Sequence, residues 1–208
     1  MTTQRIGLLG GTFDPIHIGH LVIADRAREQ LDLDQVIFLP AGVPPHKRDE
    51  QHTSVRHRLA MLDLAITGRH DFVLSDRDIR PDRPSYTVEL LREFRRDHPE
   101  KELVFIIGAD SLRDFPTWHD PEGIVALARL GVADRPDVDV PPDVFQRVRG
   151  LSEALLPVRS PLLDISATEL RERIAAGYSV QYLIPDEVMS YIRRHGLYRD
   201  PIAEREPR

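Results

Sequence analysis

Short runs of consecutive apolar residues recur along the chain, and longer amphipathic or polar stretches separate them. Several of these runs are apolar at every position, which is typical of strands whose two faces are both covered by helices. The pattern predicts buried β-strands at Ile6–Leu9, Val36–Leu39, Phe72–Leu74, Leu103–Ile107, Leu130–Ala133 and Leu162–Ile165.

Between these runs, apolar side chains recur at intervals of three and four residues, which is the period of an amphipathic helix. This spacing predicts helices around Leu21–Leu31, Leu59–Ile66, Leu90–Phe94 and Val188–Ile192. Pro185 precedes the last of these segments and Gly196 follows it, as expected at the two ends of a helix.

The alternation of strands and helices predicts an α/β fold, a doubly wound, Rossmann-like parallel sheet with helices on both faces. We expect residues 1–198 to form a single domain, with a C-terminal helical part from about residue 166, and residues 199–208 to form a flexible tail. The segment Asp134–Ser160 is charged and interrupted by prolines, so we expect it to be an excursion between two strands.

Composition excludes several classes of protein. The 208 residues include no cysteine, which excludes disulfide scaffolds, zinc ribbons, iron–sulfur clusters and thiol nucleophiles. The net charge of −6 argues against a nucleic-acid-coating surface. No apolar run approaches the ~18 residues of a membrane helix, and the first residues lack the apolar core of a signal peptide. We therefore expect a cytoplasmic protein that binds neither membrane nor nucleic acid.

The segment after the first predicted strand has the features of an anion site. Gly10 and Gly11 let the backbone approach a ligand closely, and the helix that follows offers free N–H groups at its positive end. His17 and His20 are three residues apart, so they share one face of a helical turn and could donate hydrogen bonds to phosphate oxygens. The segment matches neither of the common nucleotide fingerprints, GxGxxG or GxxxxGK[ST].

A second anion site is predicted near the C-terminal part of the chain. Ser166 and Glu169 have the spacing of a helix N-cap with a capping box, directly after the predicted strand Leu162–Ile165. Thr168 and Arg171 lie in the first turns of the same helix. Ser166 either binds an anion with them or only caps the helix.

Two further residues, Trp118 and Asp110, each have two interpretations. Trp118, the single tryptophan, follows Pro116 and Thr117 and either offers a flat face for stacking or is a half-buried core residue. Asp110 follows a predicted strand and either accepts bonds from ribose hydroxyls or caps a helix that starts at Ser111. His52 and His57 lie near a predicted helix start, where we expect them to be solvated.

The run GTFDPIHIGH at Gly11–His20 resembles the (T/H)xGH signature of the nucleotidylyltransferase superfamily, and almost the whole chain is similar to the bacterial nicotinate-nucleotide adenylyltransferase family. The further matching segments are VPPHK at Val43–Lys47, SYT at Ser85–Thr87, IIGADSL at Ile106–Leu112, FPTWH at Phe115–His119, Arg135–Pro136, ISATELR at Ile165–Arg171 and YLIPDEVMSYIRRHGLY at Tyr182–Tyr198. One HxGH motif indicates only the superfamily, whereas this ordered set is much more specific.

The resemblance implies an enzyme of NAD biosynthesis. In this reaction the 5′-phosphate of nicotinate mononucleotide (NaMN) attacks the α-phosphorus of ATP, releases pyrophosphate and forms deamido-NAD without a covalent intermediate. The catalytic residues implied are His17, His20, Lys47 and Arg171. Mg²⁺ is implied as a companion of ATP, with few protein ligands.

The resemblance also implies two sets of binding residues. For ATP they are Gly10, Gly11, Thr12, Phe13, His17, His20, Gly108, Asp110, Arg135, Ile165, Ser166, Thr168 and Arg171. For the nicotinate nucleotide they are Gly42, His46, Lys47, Thr87, Asp110, Trp118 and His119. In the second set the Trp118 ring would stack on the pyridine, and the backbone N–H of His119 and the Thr87 hydroxyl would meet the carboxylate.

The sequence departs from the family pattern at two places. Many relatives have Tyr where this chain has His119, and relatives often carry Asn where it has Ala41-Gly42. The second departure leaves open an enzyme that accepts or prefers nicotinamide mononucleotide (NMN), whose ring carries an amide. An adenylyl- or cytidylyltransferase for another phosphate and a catalytically silent nucleotide-binding protein also remain as alternatives.

Overall fold

A computed structural model describes residues 4–42, 52–80, 85–134, 139–161 and 163–199. In these residues the chain forms a six-stranded sheet in which all neighbouring strands are parallel. The strands are β1 Arg5–Gly11, β2 Gln35–Pro40, β3 Phe72–Leu74, β4 Glu102–Gly108, β5 Arg129–Ala133 and β6 Leu155–Val158.

The order of the strands indicates where in the sheet a ligand would bind. The order is β3-β2-β1-β4-β5-β6. The chain therefore adds β2 and β3 on one side of β1, and then adds β4, β5 and β6 on the other side. The reversal falls between β1 and β4, whose register pairs Leu9 with Ile106. In sheets of this kind the crevice beyond the carboxyl ends at the reversal binds the ligand.

Helices cover both faces of the sheet. They are α1 Ile18–Gln30, α2 Val55–Ile66, α3 Thr87–Asp97, α4 Ala109–Asp114, α5 Pro121–Leu127, α6 Val144–Arg147, α7 Leu151–Ala154, α8 Ala167–Ala175 and α9 Asp186–His195, with a 3₁₀ turn at Phe115–Thr117. Alternate residues of β4 join different cores: Val104 and Ile106 pack with α1, α2, α8 and α9, whereas Leu103, Phe105 and Ile107 pack with α3 to α7. Because both faces are buried, the strand is apolar at every position.

The structure confirms the predicted fold class, the four predicted helices and five of the six predicted strands. The strand expected at Leu162–Ile165 is wrong: residues 163–165 form no regular element, and the sixth strand lies earlier, at Leu155–Val158. That strand contains Pro157, which pairs opposite Val132 at the edge of the sheet. An edge strand tolerates a proline because its outer side has no ladder partner.

The segment Asp134–Ser160 is also more ordered than expected. Its described part contains the short helices α6 and α7 as well as β6. Val144 and Leu151 of these helices are buried in the second core. A helix of four residues is too short to show a helical period in the sequence, so pattern analysis missed both.

The predicted end residues of α8 and α9 are confirmed, but the predicted capping box of α8 is not. Pro185 is the N-cap of α9, and Gly196 ends it in the left-handed region with φ 62°. Ser166 is the N-cap residue of α8, as predicted, but its side chain makes no capping hydrogen bond, so the predicted capping box is wrong. In the part of the chain that the structure describes, no helix is long and apolar enough to cross a membrane.

Candidate active site

A cavity of about 930 Å³ opens at the carboxyl ends of β1 and β4, where the strand order reverses. Most of the residues singled out from the sequence line it: Gly10, Gly11, Thr12, Phe13, His17, His20, Thr87, Gly108, Asp110, Trp118, His119, Ile165, Ser166, Thr168 and Arg171. The tertiary structure thus gathers segments that lie far apart in the chain into one site. Its volume is sufficient for more than one small ligand group.

The two histidines of the HxGH motif are in direct contact. His17 is the N-cap residue of α1, and its backbone N–H donates to Nδ1 of His20 over 3.3 Å. The ring centroids are 3.7 Å apart. Since Nδ1 of His20 accepts a hydrogen bond, the proton of the neutral ring is assigned to Nε2, which makes that atom a donor.

Gly19 is required by this stacking of the rings. A Cβ atom at Gly19 would lie 3.1 Å from two atoms of the His17 ring, closer than most side chains tolerate. Phe13 packs edge-on against the His20 ring, with centroids 5.0 Å apart, and holds it from the other side. The motif therefore supplies a fixed pair of imidazoles rather than two mobile ones.

Asp14, in the loop between β1 and α1, is a buried carboxylate that the sequence analysis did not single out. It is 2% exposed, and it accepts hydrogen bonds from the Tyr198 hydroxyl at 2.6 Å and the Thr53 backbone N–H at 3.0 Å. Burial alone would raise the pKa of Asp14, but these bonds and the positive charge of Arg171 outweigh it and hold the pKa below its usual value. Asp14 therefore stays ionised at neutral pH.

Arg171 crosses from α8 to the same loop. Its guanidinium donates to the carbonyl oxygen of Asp14 at 2.8 Å and to the Thr168 hydroxyl at 3.2 Å. This places one cationic group of the second predicted anion site beside the first site. The two helix N-termini of α1 and α8 therefore face a common cavity, although the strand predicted before α8 does not exist.

Aromatic residues occupy the other side of the cavity. Trp118 is half-buried and packs on Phe115 and Phe105, with ring centroids 5.3 Å and 6.1 Å away. The His119 ring lies 4.3 Å from that of Tyr86. Trp118 thus packs on the second core and lines the cavity, which confirms that it is half-buried, and its role in stacking stays a prediction.

Asp78 is a second buried acid that the sequence analysis missed. It lines the cavity, is 8% exposed and accepts a hydrogen bond from the Ser85 hydroxyl. Burial raises its pKa to about 7, while Arg80 opposes and Glu93 adds to the rise. A single acidic residue in a loop carries no sequence signal of burial, so only the fold reveals it.

Gly108, rather than Asp110, is the N-cap residue of the helix that follows β4. Asp110 lies within the first turn of α4, and Gly108 is the N-cap residue, so the alternative that Asp110 caps a helix starting at Ser111 is wrong. A Cβ at Gly108 would meet no atom within 4 Å, because this position faces open space. Both residues line the cavity at the end of β4.

Gly42 is a glycine for a structural reason. Its Cβ would lie 3.0 Å from the backbone nitrogen of Arg80 and 3.2 Å from Cα of Ile79, so a side chain would push two backbone segments apart. Among the described residues, Ala41 lines the cavity and Gly42 is outside the lining set. His46, Lys47 and Arg135, which the sequence analysis also singled out, lie outside the described residues.

Two histidines expected to be solvated are partly buried and make specific contacts. The His52 side chain is 14% exposed, lines the cavity and lies 3.6 Å from the Asp14 carboxylate. His57 forms a hydrogen bond with the Tyr191 hydroxyl at 2.9 Å, which joins α2 to α9. Both errors arise because the sequence shows the start of α2 but not that α9 and the β1 loop pack on it.

The described residues contain no group of three or more His, Asp or Glu side chains that could hold a metal ion. The described residues that line the cavity include imidazoles, a guanidinium and hydroxyls, and also five carboxylates: Asp14, Asp78, Asp110, Asp120 and Asp134. The imidazoles, the guanidinium and the helix N-termini suit phosphate oxygens.

Comparison with known proteins shows the family of this chain. The Cytidylyltransferase-like family model matches residues 8–173. A protein of Thermomicrobium roseum named "Probable nicotinate-nucleotide adenylyltransferase" is 48% identical over 94% of this chain and 92% of its own length, and a Synechococcus protein of the same name is 45% identical over 95% and 96%.

Solved structures share the fold. Plasmodium falciparum nicotinic acid mononucleotide adenylyltransferase complexed with NaAD superposes with a TM-score of 0.79 at 20% identity, over 94% of this chain and 97% of that one. The structure of the same protein complexed with APC gives a TM-score of 0.77 at 19% identity, with the same coverage. With its cavity at the reversal of a parallel sheet, its stacked HxGH pair and these relatives, the chain belongs to the nicotinate-nucleotide adenylyltransferase family of the cytidylyltransferase-like proteins.

Proposed function

We propose that this chain transfers the adenylyl group of ATP to NaMN, forming deamido-NAD and pyrophosphate in NAD biosynthesis. The observation that carries the proposal is the single cavity in which the stacked His17 and His20 face the same space as Trp118 and Thr87. A donor-rich side suits a triphosphate, and an aromatic side suits a pyridine ring. The names of the relatives supply the substrate class.

The proposed chemistry needs no nucleophile from the protein. A phosphomonoester has a second pKa of about 6, so the NaMN phosphate is largely ionised at neutral pH and can attack directly. The enzyme must align two anions and neutralise the charge that develops on the phosphoryl group. Fixed hydrogen-bond donors perform this task without reorganising during the reaction.

His20 is the proposed donor to the reacting phosphate. Its Nδ1 accepts from the His17 backbone, so Nε2 carries a proton, and Phe13 and His17 fix the ring plane. Arg171, which Asp14 and Thr168 orient, is the proposed partner of the more distant ATP phosphates. Each charge-assisted hydrogen bond contributes about 1.5–3 kcal/mol.

The proposed site for the pyridine ring is the aromatic side of the cavity, which contains Trp118 and Thr87. Trp118 offers a ring held by Phe105 and Phe115, and Thr87 offers a hydroxyl at the start of α3. Because the His119 ring packs on Tyr86, the proposed contribution of His119 is its backbone N–H rather than its side chain. Asp110 would accept bonds from ribose hydroxyls.

Mg²⁺ is proposed to enter with ATP. Bound there, it would supply positive charge that offsets the negative charge of the phosphates. Asp110 is a cavity-lining carboxylate that could reach it directly or through water, and the other ligands would be phosphates and waters.

The test is pyrophosphate release from Mg-ATP with NaMN and NMN in parallel and phosphopantetheine as a control. We expect turnover with NaMN, little with NMN and none with phosphopantetheine. Comparable rates with NaMN and NMN would indicate dual specificity, and Ala41 and Gly42, where relatives often carry Asn, would be the first positions to change. No release with any acceptor would contradict the proposed function and favour the binding-protein alternative.

A further inference from the structure

Arg58 in α2 is a buried arginine that bonds to three separate segments of backbone. It is 1% exposed and is not among the described residues that line the cavity. Its guanidinium donates to the carbonyl oxygens of Thr12 at 2.7 Å, Thr53 at 3.1 Å and Gly42 at 3.2 Å. One planar side chain therefore fixes three carbonyls at the same time.

The three carbonyls belong to different parts of the proposed site. Thr12 lies in the loop after β1 and is in the set of residues proposed for ATP. Gly42 follows β2 and is the neighbour of Ala41, which lines the cavity, although Gly42 itself is outside the lining set; the family resemblance assigns Gly42 to the nicotinate nucleotide. Thr53 lies just before α2 and donates its own backbone N–H to Asp14 of the first loop. Through these hydrogen bonds, Arg58 directly links the two proposed substrate sides.

The buried charge of Arg58 is balanced locally. Burial lowers the pKa of the guanidinium below its usual range, while the negative charge of Asp14 opposes this effect. Asp14 is itself held by Tyr198 and Thr53. A buried charge is costly unless it is paired and hydrogen-bonded, so this arrangement is a connected unit in which each member depends on the others.

We propose that Arg58 is a positioning residue that sets the spacing between the ATP loop at Thr12 and the nicotinate-nucleotide side at Gly42. This inference rests on the proposed function. In a reaction between two bound anions, the rate depends on the alignment of one reactant against the other, and a misplacement of about 1 Å can cost about 10²-fold. Loss of the link therefore lowers kcat more than it weakens the binding of either substrate.

The experiment compares Arg58→Lys with wild type. Lysine keeps the positive charge but cannot donate to three carbonyls in the fixed geometry of a guanidinium. We expect kcat to fall by about 10- to 100-fold, while the KM values for ATP and NaMN, and the Kd of each substrate measured alone by calorimetry, stay within about threefold. Assays run at least about 15 °C below the Tm of the variant, so that the protein is folded.

Arg95→Lys is the matched control. Arg95 also donates to two backbone carbonyls, those of Lys101 at 2.7 Å and Leu127 at 2.6 Å, but these residues are outside the set that lines the cavity. We expect a lower Tm and an unchanged kcat for this variant. Gly42→Ala tests the same link from its other end, because its Cβ displaces the backbone at Arg80; it should also lower kcat.

The outcomes separate this inference from the proposed function. Wild type that is inactive with NaMN and NMN contradicts the function itself. If the wild type is active and Arg58→Lys has a normal kcat with a lowered Tm, the inference is overturned, because Arg58 then has a structural role only. An equal loss in kcat and in the affinity for each substrate also overturns it, since it indicates general disruption of the site. If Arg58→Lys does not fold, a normal kcat in Gly42→Ala overturns the inference and a selective loss of kcat supports it.

Discussion

The hydroxyl group of Tyr198 donates to the carboxylate of Asp14 over 2.6 Å and joins the C-terminal end of the described chain to the loop after β1. The two residues are 184 positions apart. Asp14 is buried, and its backbone carbonyl also accepts from Arg171. The segment after α9 therefore stabilises the loop that carries the HxGH pair.

Removal of this hydrogen bond should destabilise the fold in a pH-dependent way. Tyr198→Phe leaves the ionised Asp14 with one donor fewer, and we expect the free energy of unfolding at pH 7 to fall by about 1.5–3 kcal/mol. The pKa of Asp14 is lowered in the folded state, so its contribution is present above about pH 4 and is lost as the pH falls through the folded pKa. Urea unfolding at pH 7 and pH 3.5 measures both effects.

Tyr182→Phe is the control for this prediction. Tyr182 is 83% exposed, so its variant should stay within about 0.5 kcal/mol of wild type at both pH values. A Tyr198→Phe loss that is equal at pH 7 and pH 3.5 would show that the hydroxyl does not act through the Asp14 carboxylate.

The stacked histidines make a catalytic prediction. His20→Ala removes the proposed donor to the reacting phosphate, and we expect kcat to fall by about 10²–10³-fold, the scale of one lost transition-state donor. The circular dichroism spectrum should be unchanged. His57→Ala, on α2 and outside the cavity-lining set, is the matched control and should retain kcat. Wild-type turnover in His20→Ala would remove this residue from the mechanism.

Replacement of Trp118 should raise the KM for NaMN more than the KM for ATP. Trp118→Ala removes the proposed stacking surface, and we expect the KM for NaMN to rise by at least about tenfold, since base–aromatic stacking contributes about 1–3 kcal/mol, with a smaller change in the KM for ATP. The side chain also packs on Phe105 and Phe115, so the variant will unfold at a lower temperature. Trp118→Phe keeps an aromatic face and should recover most of the loss. Equal increases in both KM values would instead assign Trp118 to packing alone.

Asp78 should impose a pH-dependent cost on folding. The carboxyl has a pKa of about 7 in the folded protein and ionises near pH 4 when unfolded, so it destabilises the fold progressively between pH 4 and pH 7 and by a constant amount above. Asp78→Asn should therefore gain stability over wild type as the pH rises through this window, by about 1–4 kcal/mol at pH 8. Thermal or urea unfolding from pH 4 to pH 8 measures it.

Asp97→Asn provides the contrast for Asp78. Asp97 is exposed and pairs with Arg77, which holds its pKa below the usual value, so its variant should differ from wild type by the same amount from pH 5 to pH 8. A stability difference for Asp78→Asn that does not change with pH would show that Asp78 ionises normally in the folded protein.

Much of this protein could be predicted because its local signals agree with its fold. The buried strands are apolar throughout, and α1, α2, α3 and α9 carry a helical period, so the alternation of elements predicts the parallel sheet. The HxGH segment and the glycines beside it predict an anion site after β1. The prediction failed at β6, where Pro157 interrupts an edge strand, and at α6 and α7, which are too short to show a period.

The sequence by itself determined most of the strands of the sheet and the family, and most of the residues that it singled out line the cavity, because each of these depends on local periodicity or on a motif of adjacent residues. Only the tertiary structure decided that Asp14 bonds Tyr198, that Arg58 joins Thr12 to Gly42, and that Asp78 is buried beside Ser85. These contacts connect residues on separate elements, and a single acid, arginine or tyrosine in a polar stretch looks the same whether it is buried or exposed. Burial, and with it the shifted pKa values and the fixed spacing of the loops, arises when the helices dock on the sheet.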